Sequence, residues 1–486
     1  MTVTSAPAAY ELRSYDKLFI GGKWVEPSSD EVIEVVSPID GAVVATVPEA
    51  RQADVDKAVA AAREAFDHGP WPRMSPAERA KYLARIGEEV VKRIPEMAAA
   101  FTREIGAPAA VSQAFHDNAR KMWGDSSTLH ERFVFEEDRT WEGGEGRLVR
   151  EPVGVAAIII PWNGPVATAS LKLGPALAAG CTVVFKPAPE GPVSVMMLAE
   201  AIEAAGLPEG VVSVLPAGRE VGQYLVEHRD VDKVSFTGST AAGRKIMAAV
   251  ADRIGRVSLE LGGKSAAIIT DDVPLENVLP TLVFAGVANS GQVCAALTRI
   301  LVPRSRQDEV TEALAEAYRG LVVGDPREEG TTIGPLAAKR QQERVLEYIR
   351  IGKEEGARLV IGGGVPEGLE DGCYVEPTIF ADVTPDMRIA QEEIFGPVVV
   401  VMPYDDIEEA IEIANSTEYG LSGAVYAADN QTAEQIARRI RTGQIGVNTW
   451  DMCVTQPFGG YKQSGLGREG NVEGLGAFLE TKLIMR

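Results

Sequence analysis

Lys233-Val234-Ser235-Phe236-Thr237-Gly238-Ser239-Thr240-Ala241-Ala242-Gly243 is the stretch that decides the architecture. Its first four residues read as a short buried strand, and Ala242–Val250 has the composition of a helix. Strand, glycine-bearing turn and helix in that order leave backbone amides free at a helix N-terminus, where a pyrophosphate is favoured. Gly238 and Ser239 are therefore candidate phosphate contacts. The same alternation runs outward in both directions. Val155–Ile160, Thr182–Phe185, Gly210–Leu215, Ala266–Ile269 and Val398–Met402 read as strands, and Ala53–Asp67, Pro76–Val91, Pro192–Ala205 and Glu309–Tyr318 as helices. Short apolar strands alternating with helices predict an α/β fold with a largely parallel sheet.

In such sheets ligands gather at the C-terminal ends of the strands. Three of those ends carry unusual polar residues: Pro161-Trp162-Asn163, Lys186-Pro187 and Thr237-Gly238-Ser239. A literal Gly-x-Gly-x-x-Gly occurs at Gly465–Gly470, but it follows Tyr-Lys-Gln-Ser rather than a strand and reads as a glycine-rich loop. Asn289-Ser290-Gly291-Gln292-Val293-Cys294 sets a cysteine after a small-residue turn, which suits a thiolate nucleophile with backbone amides near the sulfur. A buried inert thiol is the commoner fate of a lone cysteine, and Cys181 at a strand entry fits it. Glu260 stands immediately before Gly262-Gly263, where glycines let the chain bend around a ligand.

Composition narrows the function. The chain has 486 residues, more than one core of ~100–200 residues holds, so two or three domains are expected. Its net charge of −22 argues against a nucleic-acid binder. Four scattered cysteines and four scattered histidines give neither a disulfide framework nor a metal-ligand spacing. The N-terminal stretch shows no basic start followed by an apolar run, and no apolar run approaches the ~20 residues of a membrane helix. A cytoplasmic protein without a membrane partner is expected. Neither Thr140–Arg150 nor Ala477–Met485 belongs to a βα unit; the first reads as a surface loop or as a hairpin or arm reaching another subunit, the second as an edge strand or arm.

Seven motifs in order then resemble the NAD(P)-dependent aldehyde dehydrogenase superfamily. They are Pro161-Trp162-Asn163, Phe185-Lys186-Pro187, Phe236-Thr237-Gly238-Ser239, Glu260-Leu261-Gly262-Gly263-Lys264, Gly291-Gln292-Val293-Cys294, Glu392–Pro397 and Pro457–Lys462. The resemblance implies a Rossmann-type cofactor domain (1–125 and 151–257), an α/β catalytic domain (258–456) and a small β oligomerisation arm (126–150 and 457–486) that forms dimers or tetramers. It implies Cys294 as nucleophile, Asn163 as an oxyanion donor, Glu260 as general base and Lys172 as an aid to proton movement. Trp162, Lys186, Gly238, Ser239, Glu393 and Phe395 would hold the cofactor. Many NAD-preferring relatives carry a glutamate three residues after the lysine; here Pro189 stands there and Glu190 follows. NAD is expected, with NADP possible. The substrate passage would draw on Phe115, Met122, Trp123, Leu297, Trp450, Met452 and Val454, an apolar lining that favours a hydrophobic or aromatic aldehyde. The competing readings are a CoA-acylating aldehyde dehydrogenase and a non-redox thiol esterase.

Overall fold

Two large sheets dominate the described residues, and the segment 261–264 joins them. A computed structural model describes residues 12–486; the N-terminal stretch read above for an export signal lies outside the described residues. The first sheet has eight strands, and its centre is five parallel ones in the spatial order Arg256–Glu260, Lys233–Thr237, Val155–Ile159, Thr182–Lys186, Val212–Val214. The chain fills one side of Val155–Ile159 before crossing to the other. The order therefore reverses between Val155–Ile159 and Lys233–Thr237, and a crevice opens where their C-terminal ends diverge. All five residues of Val155–Ile159 and of Thr182–Lys186 are buried, as strands covered on both faces require.

The second sheet has seven strands, ordered Arg358–Ile361, Thr378–Ala381, Val398–Tyr404, Leu297–Pro303, Ser265–Ile269, Gly423–Tyr426, Gly446–Val447. All neighbours are parallel except the first pair. Each sheet has its own hydrophobic cores on its two faces. Among the described residues no helix is long and apolar enough to cross a membrane.

Thr140–Arg150 belongs to a hairpin rather than a loop. Glu136–Trp141 and Gly144–Pro152 pair antiparallel, and Leu479–Met485 adds as the third strand. Only that last part of 457–486 lies in this sheet. Gly465–Leu466 pairs instead with Leu259–Glu260 at the edge of the first sheet, so residues 457–470 belong with the crevice, not with the arm. The helix starting at Pro76 also outruns its expected end at Val91 and continues to Ile105 through Pro95. An internal proline costs a helix about 3 kcal/mol, but Met97, Phe101 and Ile105 beyond it are fully buried. Their burial, at roughly 1.5–3 kcal/mol each, outweighs that cost.

Candidate active site

The residues singled out in the sequence converge from two sides. Asn163, Lys186, Gly238 and Glu260 sit at or just past the C-terminal ends of parallel strands of the first sheet. Gly263, Cys294 and Glu393 sit just before parallel strands of the second. The site lies where one sheet's outgoing ends face the other's incoming ends.

Cys294 is held by an unusual loop. Asn289 (φ 52°), Ser290 (φ 56°) and Gly291 (φ 74°) are three successive left-handed residues. At Gly291 a Cβ would stand 2.1 Å from the Gly396 carbonyl, so only glycine fits. Such backbone costs energy and persists only where surroundings fix it. Here they do: the Ser290 hydroxyl donates to the Gly334 carbonyl (2.9 Å), and the Gln292 side chain accepts from the Ala337 N–H (2.9 Å). Asn163 is tied to the same loop twice. Its amide donates to the Gln292 carbonyl (2.9 Å), and its own carbonyl accepts from the Asn289 amide (3.0 Å). One N–H of the Asn163 amide remains beyond the bond to Gln292. Gly263 closes the loop from the other side, where a Cβ would lie 2.4 Å from the Cys294 carbonyl.

Burial, followed by the nearby Glu393 and Glu260 carboxyls, pushes the Cys294 thiol up to about 12; the N–H groups of Ala295 and Cys294 pull the other way. Glu260 is 3% exposed, and neither of its carboxyl oxygens has a hydrogen-bond partner among the described residues. Burial holds it well above the usual carboxylate range, Glu469 pushes in the same direction, and Lys172 and Arg468 oppose them. Lys172 is no solvated helix lysine. Its ammonium is buried, forms an ion pair with Glu469 and donates to the Ser235 hydroxyl (3.1 Å). Glu469 is a site residue that the sequence reading passed over, because it lies inside the glycine-rich loop set aside as a false fingerprint.

On the cofactor side, the Lys186 ammonium is buried between the carbonyls of Pro187 and Ala217, both at 2.7 Å, and desolvation lowers it to about 8. Ser239 caps the helix Thr240–Ala251, its hydroxyl accepting from the Ala242 N–H (3.3 Å). Glu393 accepts from the Gly263 N–H (3.0 Å). Phe395, left-handed at φ 66°, meets the Trp162 ring edge-on, with centroids 5.6 Å apart. Glu190 is engaged in an ion pair with Arg340. This set suits a dinucleotide. It offers a capped helix N-terminus at the reversal point, a buried cation, a carboxylate for a hydroxyl and a buried Thr237 hydroxyl with no partner among the described residues.

On the other side of Cys294, Phe115, Trp450, Met452 and Phe458 pack with Val293, Leu421 and the thiol itself in one apolar cluster. Four expected lining residues do not join them: Met122, Trp123, Leu297 and Val454. Trp123 is fully buried in the core of the first sheet, and Leu297 in that of the second. Along the helix Ala109–Ser126, eight residues at 100° each turn Trp123 about 80° away from Phe115. Phe458 takes a place the sequence reading did not give it. Among the described residues no group of three or more His, Cys, Asp or Glu is arranged to hold a metal ion.

Known proteins share this fold and much of this sequence. A family model described as the aldehyde dehydrogenase family matches residues 24–484. The chain is 42% identical over 475 residues to geranial dehydrogenase from Castellaniella defragrans, covering 97% of this chain and 98% of that one. It superposes with a TM-score of 0.96 on an aldehyde dehydrogenase from Mycobacterium tuberculosis complexed with NAD+, at 47% identity and over 97% and 98% of the two chains. A mutant aldehyde dehydrogenase C from Pseudomonas syringae, complexed with NAD+ and octanal, matches with a TM-score of 0.94 at 42% identity, over 98% of each chain. With a thiol, an amide and an unpartnered carboxyl converging beside a dinucleotide crevice, and with these matches along nearly its whole length, the chain belongs to the aldehyde dehydrogenase family.

Proposed function

We propose that this enzyme oxidises apolar aldehydes to carboxylic acids with NAD, and that Cys294, Asn163 and Glu260 carry the reaction. The observation that supports it most is the pair of unpartnered Glu260 oxygens, buried near a thiol that is itself held neutral. A buried carboxyl without a partner is costly to keep, and a role in proton transfer accounts for it.

In this reading the Cys294 sulfur attacks the aldehyde carbon as its proton leaves. The free N–H of Asn163 and the backbone N–H of Cys294 hold the resulting oxyanion, each donor contributing roughly 3 kcal/mol. Bound NAD supplies the hydride acceptor. Lys186, Gly238 and Ser239 would hold its adenosine and pyrophosphate, and Glu393, Phe395 and Trp162 its nicotinamide half. The thioester left on Cys294 is hydrolysed by a water that Glu260 deprotonates, a contribution of roughly 10²–10⁴-fold. Lys172 and Glu469, one charge of each sign beside Glu260, set how readily it takes and gives that proton.

NAD rather than NADP is favoured because the relatives just described were captured with NAD+, and because Glu190 keeps a carboxylate near Lys186 although Pro189 occupies the usual position. An apolar substrate is favoured by the uncharged wall of Phe115, Trp450, Met452 and Phe458, and by relatives named for geranial and complexed with octanal. A nucleophile that must stay a free thiol fits a cytoplasmic location. The three-stranded arm, with Trp141, Leu483, Ile484 and Met485 exposed, fits self-association to a dimer or tetramer. Light scattering tests that directly, and a lone monomer at micromolar concentration would refute it.

Purified protein with NAD and octanal should generate the absorbance of reduced cofactor without any thiol acceptor, and Cys294→Ala should abolish it. Reduced cofactor that forms only after CoA is added would replace this reading with the acylating one, and octyl ester hydrolysis without cofactor reduction with the esterase. Faster turnover of succinic semialdehyde than of octanal would remove the apolar preference.

A further inference from the structure

Parallel strands covered on both faces are expected to be apolar on both. Lys233–Thr237 and Arg256–Glu260 are not. They pair in register, Lys233 beside Arg256, Ser235 beside Ser258 and Thr237 beside Glu260. Alternation sends these six side chains to one face, while Val234, Phe236, Val257 and Leu259 pack in a hydrophobic core on the other. A polar file therefore runs along the sheet, from exposed Arg256, paired with Glu480 of the arm at 2.6 Å, to buried Glu260. Lys172 enters it from the helix Pro165–Ala179, donating to the Ser235 hydroxyl at 3.1 Å and pairing with Glu469.

Lys233 is the costliest member of the file. It is 2% exposed. Its ammonium donates to the Ser258 hydroxyl (2.8 Å), stands 5.0 Å from the centre of the Phe478 ring and forms no ion pair among the described residues. A buried ammonium held only by a hydroxyl and a ring is expensive, and methionine would serve packing alone as well. Its charge acts at longer range. Glu469 attracts it, Lys172 and Arg256 repel it, and the Cys181 thiol also faces it; desolvation lowers the ammonium to about 8, so it is charged at neutral pH and below.

We propose that Lys233 is a positioning residue for the general base: with Lys172 it supplies the positive charge against which Glu260 and Glu469 give up their proton, so that Glu260 is ready to take one from the hydrolytic water. The inference rests on the reading of Glu260 as general base and adds a residue to it. Lys233 acts through Glu469 and Lys172. Those two, with Arg468 and the Cys294 thiol, are the charged or titratable groups that face Glu260. Two carboxyls this strongly linked titrate as a pair. Without Lys233 the pair is left with one buried cation on its side of the sheet, and it holds its proton more tightly.

The test is the pH profile of kcat for NAD reduction with octanal, with thermal unfolding alongside. Lys233→Met keeps the length of the side chain and removes its charge. It should move the acid limb upward by ~0.5–1 pH unit, a loss of roughly three- to tenfold in kcat on that limb. Lys233→Arg keeps the charge and should return the limb to the parental position. Ser258→Asp sets a carboxylate beside the ammonium and cancels its charge; it should move the limb upward too, and reads the same effect if the methionine variant does not fold. Glu469→Gln, in the same assay, should move the limb downward. A limb that moves with Glu469→Gln but stays in place with Lys233→Met or Ser258→Asp overturns the proposal. So does an equal displacement by Lys233→Met and Lys233→Arg, which would make Lys233 a packing residue. A limb that none of these variants moves would instead overturn the general-base reading of Glu260 itself.

Discussion

In the proposed mechanism the Asn163 side chain performs two jobs, and replacing it by alanine separates them. Its amide donates to the Gln292 carbonyl at 2.9 Å and keeps a second N–H for the developing oxyanion. Losing one oxyanion donor costs about 2.7–4 kcal/mol of transition-state stabilisation, a 10²–10³-fold fall in kcat. Losing the bond to Gln292 is a ground-state matter. A single neutral hydrogen bond contributes about 1 kcal/mol net, which in a chain of this size lowers Tm by no more than about 2–4 °C. The assay is steady-state reduction of NAD with octanal, alongside thermal unfolding. Asn289→Ala is the control, because it removes the donor to the Asn163 backbone carbonyl and leaves the Asn163 amide in place. It should lose roughly five- to tenfold through looser positioning. Asn163→Ala retaining more than about a tenth of parental kcat would show that the oxyanion is held elsewhere. A fall in Tm beyond about 10 °C would show that loop anchoring is its main task.

Three further outcomes follow from the electrostatics of the site. Because burial pushes the Cys294 thiol up to about 12, its thiolate fraction keeps growing with pH, and inactivation of the free enzyme by iodoacetamide should accelerate from pH 7 to pH 10 without levelling; a plateau near pH 7 would contradict this. Glu260→Gln should give a burst of reduced cofactor equal to the enzyme, followed by turnover slowed roughly 10²–10⁴-fold, whereas an absent burst would place Glu260 before hydride transfer. Glu469 is the largest charge contribution raising Glu260, so Glu469→Gln lets Glu260 lose its proton at lower pH and should move the acid limb of kcat downward; a limb that stays in place would separate Glu469 from the base.

What the sequence made legible was local. Lys233–Gly243 announced itself because strand, turn and helix are contiguous, and the Cys294 loop because its small residues are adjacent to the thiol. Helix and strand limits were close wherever apolar periodicity ran uninterrupted, and failed at Pro95, where burial of distant residues overrode a local rule. Glu469 was illegible for a different reason. It is 209 positions from Glu260, and apart from its run of glycines nothing near it in sequence distinguishes a buried partner of Lys172 from one more surface carboxylate. Trp123 and Leu297 were misplaced because aromatic or aliphatic character says nothing about which side of a helix or strand faces the pocket. A charged residue within a run of glycines that approaches another backbone was the one available hint of Glu469.

The loop at 457–470 has a consequence for how the enzyme is made. Both sheets have all their parallel strands by Val447, yet Glu469, the wall behind Glu260 at Gly459, and the hydroxyl of Ser464 that accepts from Gly420 and donates to the Gly262 carbonyl all come later. During synthesis the reactive cysteine therefore exists well before the surroundings that govern its chemistry. The finishing step is a clasp across the two halves, and the same strand of chain then runs on into the arm at Leu479–Met485. The surroundings of Cys294 and Glu260 are thus complete only once residues 457–470 have been made and have crossed between the two sheets.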